Sequence, residues 1–139
     1  MRLFVDTSVW SLALRRDSSQ DVPQVKRLQE ALAGGEPVHA TGIVLQELLQ
    51  GIRAAQAAKR IAERFSAIAM IVPDRSDYIR AADLHNTCRS HGVQTGTIDA
   101  LLAKLCIRHE LIMLSTDRDF MQIAKLAPLR LWRVPEWDS

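Results

Sequence analysis

Short apolar runs recur along this chain, each too brief for a helix, and most are followed by residues with a helical period. They are Arg2 to Val5, Pro37 to Ala40, Met70 to Val72, Leu111 to Leu114 and Leu129 to Val134. Runs of this length bounded by turn formers read as buried strands. The segments between them carry their own start and stop signals. Asp6-Thr7-Ser8 offers caps to a helix through Val9, Trp10, Leu12 and Leu14. A second helix follows Asp21, with Pro23 in its first turn and Gly34-Gly35 as its stop. Thr41 caps a third, which carries Val44, Leu45, Leu48, Leu49 and Ile52 on one stripe. Residues 54–69 are Ala-rich and helical, and Ser76 opens a helix that runs to His91 and stops at Gly92. Thr97 caps a helix that is apolar nearly all round, and Asp117 to Lys125 forms a short last one. Strands alternating with helices predict a parallel α/β sheet with right-handed crossovers.

The 139 residues contain no repeat, low-complexity tract or linker, so a single domain over 1–139 is expected. With 47% apolar and 24% charged residues the chain can bury a core and is not of disordered composition. Its longest strictly apolar stretch, Ala67 to Val72, is far below the roughly 18–20 residues that span a bilayer. Asp6 interrupts the first apolar residues, so no secretory leader is expected. Cys88 and Cys106 lack metal or redox spacing and read as buried thiols of a cytoplasmic protein.

Net charge is +2, too balanced to announce a nucleic-acid binder. Four acids, however, fall where a parallel α/β sheet places its site, outside the carboxyl ends of the strands. Asp6 follows the first strand and Asp117 the fourth, with Asp119 two positions on. Asp99 lies in the first turn of the apolar helix, and Glu47 in the helix after the second strand. Carboxylates crowd together only with a shared proton or a cation. An all-oxygen ligand set selects Mg²⁺ or Mn²⁺, and the chemistry that fits is metal-assisted phosphodiester hydrolysis. With those four acids in a metal pocket, the rest of the chain would set 18 Lys and Arg against 12 acids, a basic body suited to a polyanion. No Ser/His/Asp arrangement, P-loop or GxGxxG points elsewhere. Each acid also has a structural reading: Asp6 and Asp117 as helix caps, Asp99 as an early-turn acid, and Glu47, about 130° from the apolar stripe, as a surface glutamate.

Four segments in this order resemble the PIN domain, most closely the VapC-type toxins of toxin–antitoxin pairs. They are Phe4-Val5-Asp6-Thr7-Ser8-Val9-Trp10, Leu45-Gln46-Glu47-Leu48-Leu49-Gln50-Gly51, Thr97-Ile98-Asp99-Ala100-Leu101-Leu102-Ala103 and Leu114-Ser115-Thr116-Asp117-Arg118-Asp119-Phe120. The resemblance implies a Rossmann-like α/β/α fold and an endoribonuclease dependent on one or two Mg²⁺ or Mn²⁺ ions. It implies that Asp6, Glu47, Asp99 and Asp117 form the catalytic metal site, with Asp119 as a further acid whose direct ligation varies. Thr116 and Ser8 match small polar positions that support metal-bound water. It also implies a homodimer acting on RNA and inhibited by a cognate VapB-type antitoxin. A non-catalytic RNA- or protein-binding module on the same fold is the alternative.

Arg53, Lys59, Arg60 and Arg64 line the Ala-rich helix and, with Arg15 and Arg16, are candidates for RNA phosphate contacts; a solvated helix face explains them equally. His39, His85, His91 and His109 share no ligand spacing, and Trp10, Trp132 and Trp137 are too scattered for a base-stacking platform. The stripe at Val44, Leu45, Leu48, Leu49 and Ile52 reads as core first, and as an antitoxin groove second.

Overall fold

A computed structural model describes residues 1–15 and 21–134; Arg16 and Trp137 lie outside the described residues. Five strands, β1 (Leu3–Val5), β2 (Val38–Thr41), β3 (Ala69–Ile71), β4 (Ile112–Leu114) and β5 (Arg130–Leu131), run in the order β3-β2-β1-β4-β5. The pairs β1–β2, β2–β3 and β4–β5 are parallel, as the alternation of strands and helices requires. Strand order reverses at β1, the kind of point where open α/β sheets place their ligands.

The chain divides into two compact units. The first comprises Met1–Val72 together with Leu114–Thr116. In it, β1 is followed by α1 (Thr7–Ala13) and α2 (Pro23–Ala33), then β2, α3 (Gly42–Gln50), α4 (Ala55–Arg64), a 3-10 turn at Phe65–Ala67, and β3. Leu3, Phe4 and Val5 are fully buried, so β1 is flanked by core on both faces, as its unbroken apolar run demands. Leu28 of α2, Val9 of α1 and Val44 of α3 complete that core. Asp6 leaves β1 by donating its N–H to the Leu114 carbonyl at 3.2 Å, which joins the ends of β1 and β4. Arg27 of α2 clamps Glu36 with two bonds of 2.6 and 2.9 Å.

The second unit comprises Pro73–Met113 and the chain from Asp117 onward. It holds α5 (Arg75–Ser90), α6 (Thr97–Arg108), α7 (Asp119–Ala124) and the β4–β5 pair, in register at Ile112 with Arg130. α5 and α6 pack against each other, and the buried Asp77 carboxylate meets the Arg108 guanidinium at 2.6 Å. Burial works to raise the Asp77 pKa. The backbone bond from Asp74 and the bond from Arg108 outweigh it and hold the group below its usual 3.8.

Several boundaries differ from the sequence reading. Asp74, not a residue at Ser76, starts α5: its carboxylate accepts from the Asp77 N–H while Asp77 accepts from the Asp74 N–H, a capping box. Gly96 occupies the cap position of α6 and Thr97 is the first helical residue, without a side-chain cap. The Ala-rich helix stops at Arg64 because the chain tightens into the 3-10 turn before β3. Ile52 falls beyond α3, and on the predicted stripe only Val44 and Leu48 are fully buried. β5 covers two residues rather than Leu129 to Val134.

Candidate active site

Asp6 stands at the carboxyl end of β1 as the N-cap of α1 and is 6% exposed. Its Oδ1 accepts from the Ser8 hydroxyl at 2.6 Å, the Ser8 N–H at 3.1 Å and the Val9 N–H at 3.4 Å. Its Oδ2 accepts from the buried Ser115 hydroxyl at 2.6 Å. All of these donors are neutral. Burial therefore dominates and raises the Asp6 pKa above its usual 3.8, although every bond acts to lower it. Ser8 also serves as an acceptor. Its oxygen takes the Thr116 N–H at 3.1 Å, tying the start of α1 to the segment after β4. Behind this segment, the buried Gln24 amide donates to the Ser115 carbonyl at 3.4 Å.

Glu47 is held by the Thr7 hydroxyl, which donates to its Oε1 at 2.9 Å across 40 residues of chain. It is half-buried, not the free surface glutamate that its angle from the apolar stripe suggests. That polar side of α3 faces the corner between β1 and α1, so the residue after Asp6 reaches the acid of another helix. An apolar cleft of about 330 Å³ opens in this unit, lined by Trp10, Leu14, Leu28, Leu32, Ile61 and Phe65. The buried Trp10 ring packs on Phe65 at 4.7 Å. Another cleft, of about 250 Å³, has Glu47 in its wall together with Arg15, Ser11 and Gly51.

In the second unit Asp99 is half-buried in the first turn of α6. Its carboxylate lies over Gly96, where an added Cβ would come within 3.6 Å of Oδ2. Asp117 is half-buried, and its Oδ1 accepts the Asp119 N–H at 2.9 Å, while Asp119 itself is exposed. Thus Asp117 closes an Asx turn leading into α7, whose cap position is Arg118. Among the described residues, no three or more His, Cys, Asp or Glu side chains stand together as a metal-holding group. The structure brings Asp6 together with Ser8, Ser115 and Thr116, and Glu47 together with Thr7. Arg53, Lys59, Arg60 and Arg64 are exposed, and Arg64 also borders the apolar cleft.

Sequence reasoning misses Ser115 and Thr7 as site residues. Ser115 is the first residue past β4 and so belongs to a strand end, the signal that picks out Asp117 two positions later. Thr7 reads from the sequence only as a cap. The donor chemistry nevertheless fits a hard divalent cation. Burial disfavours the charged form of the Asp6 carboxylate more than its hydrogen bonds from neutral donors favour it, a balance that a bound cation would reverse, and all the candidate ligands are oxygens.

The family model of the PIN domain matches residues 3–126, and the chain belongs to that family. Solved structures of similar fold include VapBC2 from Rickettsia felis bound to a DNA fragment from its promoter. That chain is 19% identical with a TM-score of 0.75, covering 95% of this chain and 98% of its own. VapBC-1 from nontypeable Haemophilus influenzae is 15% identical, with a TM-score of 0.73 and full coverage of both chains. VapC20 from Mycobacterium tuberculosis, a sarcin-ricin loop cleaving toxin, is 15% identical with a TM-score of 0.63, covering 86% and 92%. At these identities the likeness is one of fold. No curated protein matches the chain in sequence. No helix among the described residues is long and apolar enough to cross a membrane.

Proposed function

We propose that this PIN domain is a metal-dependent endoribonuclease of VapC type, a cytoplasmic toxin restrained by a VapB-type antitoxin. The observation that carries the reading is Asp6: buried at the reversal of strand order and bonded only to neutral donors. The named relatives support it, one being a sarcin-ricin loop cleaving toxin and others VapBC pairs. Asp6, Glu47, Asp99 and Asp117 would hold Mg²⁺ or Mn²⁺, with Asp119 as a further acid. When bound, such an ion supplies a water of lowered pKa and stabilises charge on the leaving oxygen.

The chain's own side chains have defined roles in this reading. Ser8 and Ser115 fix both oxygens of Asp6, so its carboxylate cannot turn away. Thr7 fixes one oxygen of Glu47 and leaves the other available. Thr116 and Ser8 orient water, and the exposed cations of α4 draw in the polyanion. The apolar cleft at Trp10 and Phe65 suits an apolar segment of the antitoxin, and the protein acts as a homodimer.

The test is cleavage of RNA by the purified protein with Mn²⁺ or Mg²⁺, with EDTA abolishing it. Asp99→Asn should fold and cut nothing; full activity in that variant removes Asp99 from the site. Growth arrest on expression, relieved by a co-expressed partner, separates a toxin from a housekeeping nuclease. Binding of RNA without turnover would instead support a non-catalytic module.

A further inference from the structure

The cleft beside Glu47 has a composition of its own. Its floor is apolar, made by Leu48, Ile52, Ala57 and Ile61, while Arg15 and Glu47 are the charged residues among those that line it. At about 250 Å³ it admits one flat ring with its sugar, and not a helix. Gly51 in its wall is the telling residue. It caps α3 with φ −82°, ordinary right-handed backbone that any residue adopts. A Cβ there would meet only the Leu48 carbonyl at 3.5 Å and the Glu47 carbonyl at 3.9 Å, normal contact distances. Neither the turn nor close packing calls for glycine at this position. It lines the cleft without a side chain of its own, next to the acid that Thr7 holds.

We propose that this cleft seats one unpaired nucleotide of the RNA beside the scissile bond. The base lies on the apolar floor and Arg15 takes the adjoining phosphate. Exposed Lys59 and Arg60 do not line the cleft but lie on the helix that supplies Ala57 and Ile61, where they would meet the phosphates of a polyanion running past it. Unstacked bases of single-stranded RNA are received in this way, by apolar contact with a cation on the backbone. The inference rests on the nuclease reading above and adds where sequence preference originates.

Gly51→Leu adds a bulky side chain to the lining of the cleft without removing an acid. With Mn²⁺ and a 5′-labelled RNA oligonucleotide that the wild type cuts at one bond, the variant should show KM raised at least tenfold. Its base preference beside the cut should change. Manganese affinity by calorimetry should stay within twofold of wild type, and the thermal midpoint should not fall. Arg15→Ala should raise KM likewise, with partial recovery in Arg15→Lys. Wild-type KM and wild-type base preference in both Gly51→Leu and Arg15→Ala would overturn the proposal while leaving the nuclease reading intact. So would unchanged RNA kinetics joined to a loss of antitoxin relief, which would give the cleft to the partner. A wild-type protein that cuts no RNA removes the nuclease reading and this subsite together.

Discussion

Ser115→Ala is the sharpest test of how Asp6 is held. The serine hydroxyl donates to Asp6 Oδ2 at 2.6 Å, and the residues are 2% and 6% exposed, so water cannot readily replace the bond. A hydrogen bond to a charged group contributes about 1.5–3 kcal/mol, and removing one atom leaves almost no cavity. For a chain of this size each kcal/mol moves the thermal midpoint by roughly 3–5 °C. Urea unfolding in EDTA, followed by circular dichroism, should therefore show a loss of about 2 kcal/mol. Asp6→Asn supplies the second arm of a double-mutant cycle. The amide keeps the N-cap and removes a charge whose burial is unfavourable, so this variant should be at least as stable as wild type while cutting no RNA. In that background the serine bond is neutral, and Ser115→Ala should cost about 1 kcal/mol less than it does beside Asp6. Two serine deletions each within about 0.5 kcal/mol of their parents would refute the reasoning, since that is the effect of an ordinary surface change.

Thr7→Val deletes the hydroxyl on Glu47 while keeping shape, and RNA cleavage should fall about tenfold, equivalent to roughly 1.4 kcal/mol of lost transition-state stabilisation, with Thr7→Ser recovering most of it. Asp77→Asn should cost about 1–2 kcal/mol at pH 7, a figure discounted because the Arg108 side chain is 38% exposed. Because the folded Asp77 pKa lies below 3.8, that stabilisation is complete above the usual value and disappears as pH falls through the folded one. Thermal midpoints of variant and wild type should thus converge in strong acid. Replacing Lys59, Arg60 and Arg64 by Gln should weaken RNA binding and flatten its salt dependence, read from fluorescence anisotropy at several salt concentrations.

The elements most legible in the sequence are those with local causes. Leu3-Phe4-Val5 reads as a buried strand and Asp6 after it as a cap, because both readings follow from adjacent residues. The capping box of Asp74 and Asp77 is equally local but is hidden by Ser76, a conventional starter placed between them. Glu47 shows the opposite case. Its position on the polar side of α3 is legible, yet whether that side meets water or Thr7 depends on a chain segment 40 residues away. Ser115 is more remote still, meeting Asp6 across 109 residues, and no periodicity encodes such a bond. Gly51 is visible as a letter, but only the structure shows that its φ does not require glycine and that it lines a cleft.

Leu14 and Ile61 line both the apolar cleft at Trp10 and the cleft beside Glu47. If the proposed inhibitor and substrate sit in these two clefts, they lean on the same two side chains, and the protein has little freedom to shed one and keep the other. On that reading, mutations that loosened the restraint at those positions would also blunt the blade, and escape from control would have to arise elsewhere on the surface.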